Sequence, residues 1–294
     1  MERENKIAVV TDSGSSMRPE YEKVQKLGVT VVPLEISFLE NGKYVPYVDL
    51  NIPTEEFYQR MRDNPKDLPK TSGAVIGRIA EVYKKLSDKT DSIISIHITS
   101  EHSVAWASAV AGAKVAQEEA SRPIAIEVID SRQISLGTWF LAEQAALLSK
   151  EGNNLEQIKE KILAMIPQVQ LLVVLEKFDN LKYGGRANDI AQAYFASILH
   201  ISPIIGLRNG KLTSMPGEIT ISPKRSRNRM VEMVEHSGTL ARLGILHTNA
   251  PKVAGEVKEA LSRIYQGEIS VYDAGPALGV HAGAGAIGII FQKA

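Results

Sequence analysis

The stretch IISIHITSEHS, residues 93–103, decides the fold class of this chain. Its β-branched residues predict a buried strand, and the strand ends in small hydroxyl residues and an acid. The same order recurs where Val9 and Val10 lead into TDSGSS, and where residues 124–129 lead into DSR. A helical pattern follows each time, and this alternation predicts a parallel, doubly wound sheet. Because ligands bind beyond the carboxyl ends of such strands, the polar ends predict a small ligand with a polar head.

The rest of the first half fits this alternation. Thr54 and Ser72 are predicted N-caps, and the second of these caps a helix from about residue 74 that buries Ile76, Ile79, Ala80 and Tyr83 on one face. The predicted strands are 7–13, 29–38, 92–99 and 124–130, and the predicted helices are 17–26, 54–63, 74–87, 103–120 and 137–150.

The second half mixes a hairpin with further strand–helix units. Asn209 and Gly210 separate two apolar runs and predict a tight β-hairpin, while Ser222 followed by Pro223 predicts a helix start. The other predicted strands are 170–175, 243–247, 269–272 and 286–291, and the other predicted helices are 187–200 and 251–265. We therefore expect two α/β domains, residues 1–165 and 166–294, with a doubly wound parallel sheet in the first, a mixed sheet in the second and a ligand cleft between them.

Composition excludes several functional classes. Lysine plus arginine equals aspartate plus glutamate at 34 each, so the chain lacks the basic excess of a nucleic-acid-binding protein. There is no cysteine, which removes thiolate metal sites and a cysteine nucleophile. The six histidines do not form an HExxH motif. No apolar run approaches the ~20 residues of a membrane span, and the charged first residues lack a signal-peptide core, so we expect a cytoplasmic protein without stable membrane insertion.

Three further segments contain candidates for ligand contact. Thr71 and Ser72 precede a predicted helix, where hydroxyls and free N–H groups either cap the helix or bind an anion. Arg186 follows two glycines, as a solvated turn residue or as a partner for a carboxylate or phosphate. His281 lies among the glycines of residues 275–285, which allow a close approach of the backbone to another surface.

Other motifs carry less functional weight. Gly283, Gly285 and Gly288 match GxGxxG in form, but a predicted strand follows them where a dinucleotide-binding motif needs a helix. His97 lies in an apolar run and is interpreted as a structural histidine. The basic residues 224–229 are either a solvated helix face or a docking patch for an acidic partner.

Taken in order, the motifs resemble the DegV family of bacterial fatty-acid-binding proteins. The matching stretches span almost the whole chain: Thr11-Asp12-Ser13, Thr71-Ser72, residues 99–109, Ile129-Asp130-Ser131-Arg132, Gly184-Gly185-Arg186 and residues 275–285. The resemblance implies no cofactor and one bound long-chain fatty acid of the palmitate, stearate or oleate type. It implies that the carboxylate lies against Thr71, with Ser72 beside it, and against Ser103, Arg186 and His281.

The resemblance also implies a non-catalytic role in phospholipid metabolism. Some members carry the acyl chain for a fatty-acid kinase and present the carboxylate to a separate ATP-binding subunit. This chain departs from the family where Leu-Ser-Gly-Thr-Tyr is usual, because Val104 and Ala105 replace Gly-Thr after Ser103. Two alternatives stay open: a hydrolase or phosphotransferase that uses Asp12, Asp130 and nearby serines, and a regulatory interaction module. If the family reading holds, Asp12 and Asp130 should orient loops, since their charge would repel an anionic head group.

Overall fold

The computed structural model describes residues 7–64, 68–177, 180–181, 202–220 and 222–294. The chain forms two compact units. The first comprises Met1–Glu35, Val48–Leu50 and Thr71–Pro167, and the second comprises Ile36–Tyr47, Asn51–Lys70 and Gln168–Ala294. Arg186 and the predicted helix 187–200 lie outside the described residues.

The first unit is built on a four-stranded parallel sheet. Its strands are β1 (Ala8–Asp12), β2 (Thr30–Val32), β6 (Ser92–His97) and β7 (Ala125–Asp130), in the order β2-β1-β6-β7. Thr11 pairs with Val31 on one side and with Ile96 on the other. The helices of this unit are α1 (Glu22–Leu27), α3 (Ile76–Ser87), α4 (Ala105–Glu119), α5 (Leu136–Lys150) and α6 (Leu155–Met165).

Apolar burial explains why these elements pack as they do. Ile93, Ile94 and Ile96 of β6 are fully buried, as a strand covered on both faces requires. The alanine-rich helix α4 lets α3 approach closely at Gly112, where a Cβ atom would lie 3.0 Å from Cγ2 of Ile79. Within α3, Ile79, Ala80 and Tyr83 are buried as predicted, but Ile76 is exposed, so that part of the prediction was wrong. Ile76 is the first residue of α3, where the helix has only begun to cover its neighbour.

The second unit contains a six-stranded mixed sheet, formed by β8 (Val169–Val174), β9 (Ser202–Arg208), β10 (Lys211–Thr220), β11 (Leu240–His247), β12 (Ile269–Asp273) and β13 (Ile287–Lys293). The strand order is β10-β9-β8-β13-β11-β12. In the part of the chain that the structure describes, β11 and β12 pair in parallel and the other neighbours pair antiparallel. The helices are α2 (Thr54–Asp63), α7 (Pro223–Glu235), α8 (Pro251–Leu261) and α9 (Gly275–Ala282). Met230, Val234, Ile245, Leu261 and Ile289 belong to its hydrophobic core.

A small third sheet has the strand order β4-β3-β5, formed by β3 (Glu35–Glu40), β4 (Lys43–Val48) and β5 (Lys70–Ser72). The fold class predicted from the sequence, a parallel-sheet domain and a second α/β domain with a mixed sheet, is thus confirmed. The predicted domains, 1–165 and 166–294, were each continuous in sequence. The two units of the structure are not, because residues 36–47 and 51–70 belong to the second unit. Within the described residues, no helix combines the length and apolar character that a membrane crossing needs.

Candidate functional site

The topology of the first unit directs attention to the carboxyl ends of β1 and β6. These strands are neighbours, yet β1 is followed in the sheet by β2 on one side and β6 by β7 on the other. Such a reversal of direction opens a crevice between the loops that leave the two strands. The loop after β1 starts at Ser13, and the loop after β6 leads through Thr99 to Ser103.

Asp12 fixes both of these loops. Its Oδ1 accepts the Gly14 N–H at 2.9 Å, and its Oδ2 accepts the Ile98 N–H at 3.0 Å and contacts Nδ1 of His97 at 2.9 Å. The carboxyl is fully buried. With this many partners it is a structural brace, as predicted for an acid that should not face an anionic ligand.

His97 continues a buried polar chain. Its Nε2 lies 2.7 Å from Oγ of Ser95, which in turn accepts the Tyr83 hydroxyl at 2.7 Å. Burial raises the pKa of the Tyr83 phenol, so it remains a neutral donor. Asp12, His97 and Ser95 have the connectivity of a catalytic triad, but all three are fully buried and the serine hydroxyl is engaged twice. The interpretation of His97 as structural is confirmed.

Asp130 braces the neighbouring loops. Its Oδ1 accepts the N–H groups of Ser100 and Arg132 at 3.3 and 2.9 Å, and its Oδ2 accepts the Ser100 hydroxyl at 2.6 Å. The Thr99 N–H donates to the Gln133 carbonyl at 2.8 Å. The loop that carries Ser103 is therefore tied down from two sides, and the expectation that Asp12 and Asp130 orient loops is confirmed.

Ser103 stands at the entry to α4. Its Oγ accepts the Ala105 N–H at 3.1 Å, and the side chain is partly exposed. A hydroxyl that accepts through one lone pair still has its proton to donate. The helix begins at Ala105, after Val104, whose side chain makes no capping hydrogen bond.

Thr71 and Ser72 do not cap a helix, contrary to the prediction. They form the end of strand β5, and α3 begins only at Ile76, with no side-chain cap at Val75. The pairing of β5 in the small sheet extends the backbone here, and this overrides the capping tendency of serine. Thr54 likewise is the first helical residue of α2 and not its cap. By contrast, Ser222 caps α7 as predicted, since its Oγ accepts the Arg225 N–H at 3.3 Å.

Gly73 lies at the contact between the two hydroxyl segments, Thr71-Ser72 and the loop that carries Ser103. A Cβ atom placed on Gly73 would lie 2.4 Å from Cγ2 of Val104 and 3.4 Å from the Ala105 nitrogen. The backbone that follows Thr71 and Ser72 therefore runs directly against the residues that follow Ser103. The first unit thus brings together Thr71, Ser72 and Ser103, three of the residues that the sequence proposed for a carboxylate.

His281 belongs to the second unit, in the last turn of α9. The glycines around it allow the predicted close approaches: a Cβ on Gly279 would lie 2.6 Å from the Tyr58 hydroxyl, and one on Gly283 would lie 3.0 Å from Oδ1 of Asn180. The sequence did not predict that residues 275–282 form a helix. The rejection of a dinucleotide motif is confirmed, because Gly288 lies in strand β13.

Asp49 is a buried acid that the sequence reasoning missed. It lies in the short turn Asp49–Asn51 and is almost fully buried, and burial raises its pKa to about 6 despite a hydrogen bond with Ser13. Its N–H donates to the Leu34 carbonyl at 3.1 Å, and Ser13 Oγ accepts the Leu34 N–H at 2.9 Å. No sequence signal marks Asp49, since its burial arises from tertiary packing.

The basic run 224–229 is partly neutralised. Arg229 donates to both carboxylate oxygens of Glu218 at 2.7 and 2.8 Å and to Glu232 at 2.9 Å. Arg227 pairs with Glu176 at 3.6 Å. Lys224 and Arg225 are exposed, so any docking role of this run falls on them. Among the described residues, no group of three acidic or histidine side chains could hold a metal ion.

Comparison with known proteins agrees with this architecture. A model of the DegV family, described as uncharacterised proteins, matches residues 6–294. A DegV domain-containing protein of Caldanaerobacter subterraneus subsp. tengcongensis is 30% identical over 292 residues, which cover 98% of this chain and 99% of the relative. The family match therefore extends over nearly the whole chain.

Two solved structures match over nearly the whole chain. The first is DegV, a fatty acid binding protein from Bacillus subtilis, at 28% identity and a TM-score of 0.84, covering 99% of this chain and 100% of the other. The second is a DegV family protein from Ruminococcus gnavus described with vaccenic acid, at 25% identity and a TM-score of 0.84, covering 98% and 100%. This chain belongs to the DegV family.

Proposed function

We propose that this protein binds one long-chain fatty acid and holds its carboxylate at Thr71 and Ser103. The observation that carries the proposal is the contact of Gly73 with Val104 and Ala105, which sets two hydroxyl segments side by side in one unit. Fatty acid binding by the B. subtilis relative, and vaccenic acid with the R. gnavus relative, support the choice of ligand.

The chemistry of these residues suits a carboxylate. A buried anion needs hydrogen-bond donors, because an unpaired buried charge is very costly. Hydroxyl groups donate such bonds without adding charge, and both Thr71 and Ser103 are only partly buried, so a ligand can reach them. Ser72, His281 and Arg186 complete the proposed set, with the histidine and the arginine supplying positive charge or a water-mediated contact.

The acyl chain would lie in an apolar tunnel. Each buried methylene contributes about 0.8 kcal/mol, so a chain of 16 to 18 carbons dominates the affinity while the hydroxyls orient the head group. We further propose that the protein is a non-catalytic carrier that presents the carboxylate to the ATP-binding subunit of a fatty-acid kinase. The bracing roles of Asp12 and Asp130, and the burial of Ser95, support a carrier over a hydrolase built on those residues.

The test is lipid analysis of the protein purified from bacteria. Organic extraction and mass spectrometry should recover close to one C14–C18 fatty acid per chain. Delipidated protein should show a higher melting temperature with added oleate or palmitate, because a ligand that binds only the native state stabilises it. Absence of bound lipid together with no thermal shift would contradict the proposal.

A further inference from the structure

Three aliphatic side chains are exposed beside the hydroxyl segments. Val75, Ile76 and Val104 have 45%, 45% and 61% of their surface exposed, and we call them the aliphatic collar. Among the described residues they are half of the large hydrophobic side chains that are exposed; the others are Tyr44, Tyr47 and Leu163. A single exposed apolar residue is ordinary, but a group of them at one place marks a binding surface.

The collar adjoins the proposed carboxylate site through backbone contacts. Gly73 touches Val104 at the start of α4, and a Cβ on Gly112, further along α4, would lie 3.2 Å from the Ile76 carbonyl oxygen. The chain from Gly73 to Ile76 therefore follows α4 away from Ser103. An extended ligand that leaves the hydroxyls along this path would meet the collar first.

Packing within the fold leaves much of each collar side chain uncovered. Helix α3 anchors on Ile79, Ala80 and Tyr83, which are buried. Val75 precedes that helix and Ile76 begins it, outside its buried face, while Val104 precedes α4 and turns one methyl group, Cγ2, toward Gly73. Their aliphatic character therefore calls for a partner that covers them.

We infer that the collar contacts the methylene groups at C2 to C4 of the bound acid, next to its carboxylate. The inference rests on the proposed function and narrows its substrate class to straight-chain acids that are unsubstituted at C2. A hydroxyl at C2 would be pressed against valine and isoleucine methyl groups and would lose its hydrogen bonds to water. Methylene groups at the same place exclude water from the collar and bury it.

Methyl NMR tests the contact directly. Protein with labelled isoleucine, leucine and valine methyl groups is saturated with palmitate carrying ¹³C at C2. We expect NOEs from the C2 protons to methyl groups of Val75, Ile76 or Val104 and none to those of Leu163, an exposed residue of α6. Bound palmitate whose C2 protons show NOEs only to methyl groups outside the collar would overturn the inference.

Ligand discrimination gives a second test. We expect the wild type to bind palmitate about ten-fold more tightly than 2-hydroxypalmitate, which corresponds to about 1.4 kcal/mol. Val104→Thr keeps the shape of the side chain and offers a hydroxyl, so the ratio should fall several-fold; Leu163→Gln should keep the wild-type ratio.

The results that would contradict the proposed function differ from those that would contradict the collar inference. If the wild type binds neither acid, the proposed function fails. If it binds both with equal affinity, or if Val104→Thr leaves the ratio at the wild-type value, only the collar is wrong and the carboxylate site stands.

Discussion

At the scale of single residues, the two buried acids near the start of the sheet differ in how their charge is compensated. Asp12 accepts two backbone N–H groups and lies against His97. Asp49 has a buried Oδ1 without a hydrogen-bond partner, and Asp12 lies close enough to raise its pKa further. Burial is the main cause that raises the Asp49 pKa to about 6.

This raised pKa predicts a pH-dependent stability. Because the native carboxyl holds its proton up to about pH 6 and the unfolded one releases it near 3.8, the native state binds more protons in this window. Stability from this group is therefore present at low pH and lost as pH rises. Relative to Asp49→Asn, the wild-type free energy of unfolding should fall by about 1 kcal/mol from pH 5 to pH 7.

Urea unfolding of both proteins at the two pH values measures this difference. Asp88→Asn, at the exposed end of α3, is the matched control for removing a carboxylate from the same unit. An equal difference between wild type and Asp49→Asn at pH 5 and pH 7 would show that the Asp49 carboxyl titrates in the native state as it does in the unfolded chain.

At the scale of elements, the sequence predicted correctly a turn that depends on the conformational preferences of its own residues. Asn209 and Gly210 have φ angles of 51° and 84°, and the hairpin they predicted joins β9 and β10. The short strand β4 was missed because its sequence KYVPYV does not alternate and carries a proline. Helix α9 was missed because its glycines suggest a loop, although one of them, Gly279, allows close packing against Phe57 and Tyr58.

The candidate site was predictable only in part. The hydroxyl residues stand out in the sequence, but a serine before a helical pattern looks the same whether it caps a helix or ends a strand, so Thr71 and Ser72 were placed wrongly. The aliphatic collar was hidden because periodicity puts Ile76 on the same face as the buried Ile79. Exposure depends on which neighbour covers each turn, and that is a tertiary property.

The contact between Gly73, which follows β5, and Val104, which precedes α4, gives a testable prediction. Gly73→Ala should weaken fatty-acid binding about ten-fold, because the new Cβ would overlap Val104 and push the two hydroxyl segments apart. The φ angle of Gly73 is not positive, so backbone strain adds nothing. Val104→Ala removes the overlapping methyl group, so the double variant should bind oleate as well as the single variant Val104→Ala does. Isothermal titration with oleate measures both.

Gly77→Ala is the control for that experiment. Gly77 lies in α3 with no atom within 4 Å of an added Cβ, so alanine there should leave binding unchanged. Wild-type affinity in Gly73→Ala, or a double variant that binds clearly more weakly than Val104→Ala alone, would show that this junction does not position the ligand as described.

At the scale of the whole molecule, the proposed presentation of the carboxylate to a kinase subunit would require a surface that this subunit can recognise. The structure narrows the candidate basic run to Lys224 and Arg225, because Arg227 and Arg229 have carboxylate partners within the protein. Reversing only these two charges leaves the ion pairs of α7 intact.

We predict that Lys224→Glu with Arg225→Glu slows acyl-phosphate formation by a fatty-acid kinase ATP-binding subunit at least several-fold, while oleate affinity is unchanged. The effect should shrink at high salt, where charge attraction is screened. Kinase assays at low and high salt, with oleate titrations beside them, provide the measurement. Loss of oleate affinity in this variant would contradict a docking role.

If the hydroxyls of Thr71 and Ser103 hold the carboxylate, as we propose, the double variant Thr71→Ala with Ser103→Ala should lose affinity for oleate. Each hydrogen bond to a charged group contributes roughly 1.5–3 kcal/mol, so the double variant should bind at least 100-fold more weakly. Ser262→Ala, an exposed serine after α8, should bind like the wild type. Wild-type affinity in a folded double variant would show that these two hydroxyls do not hold the carboxylate.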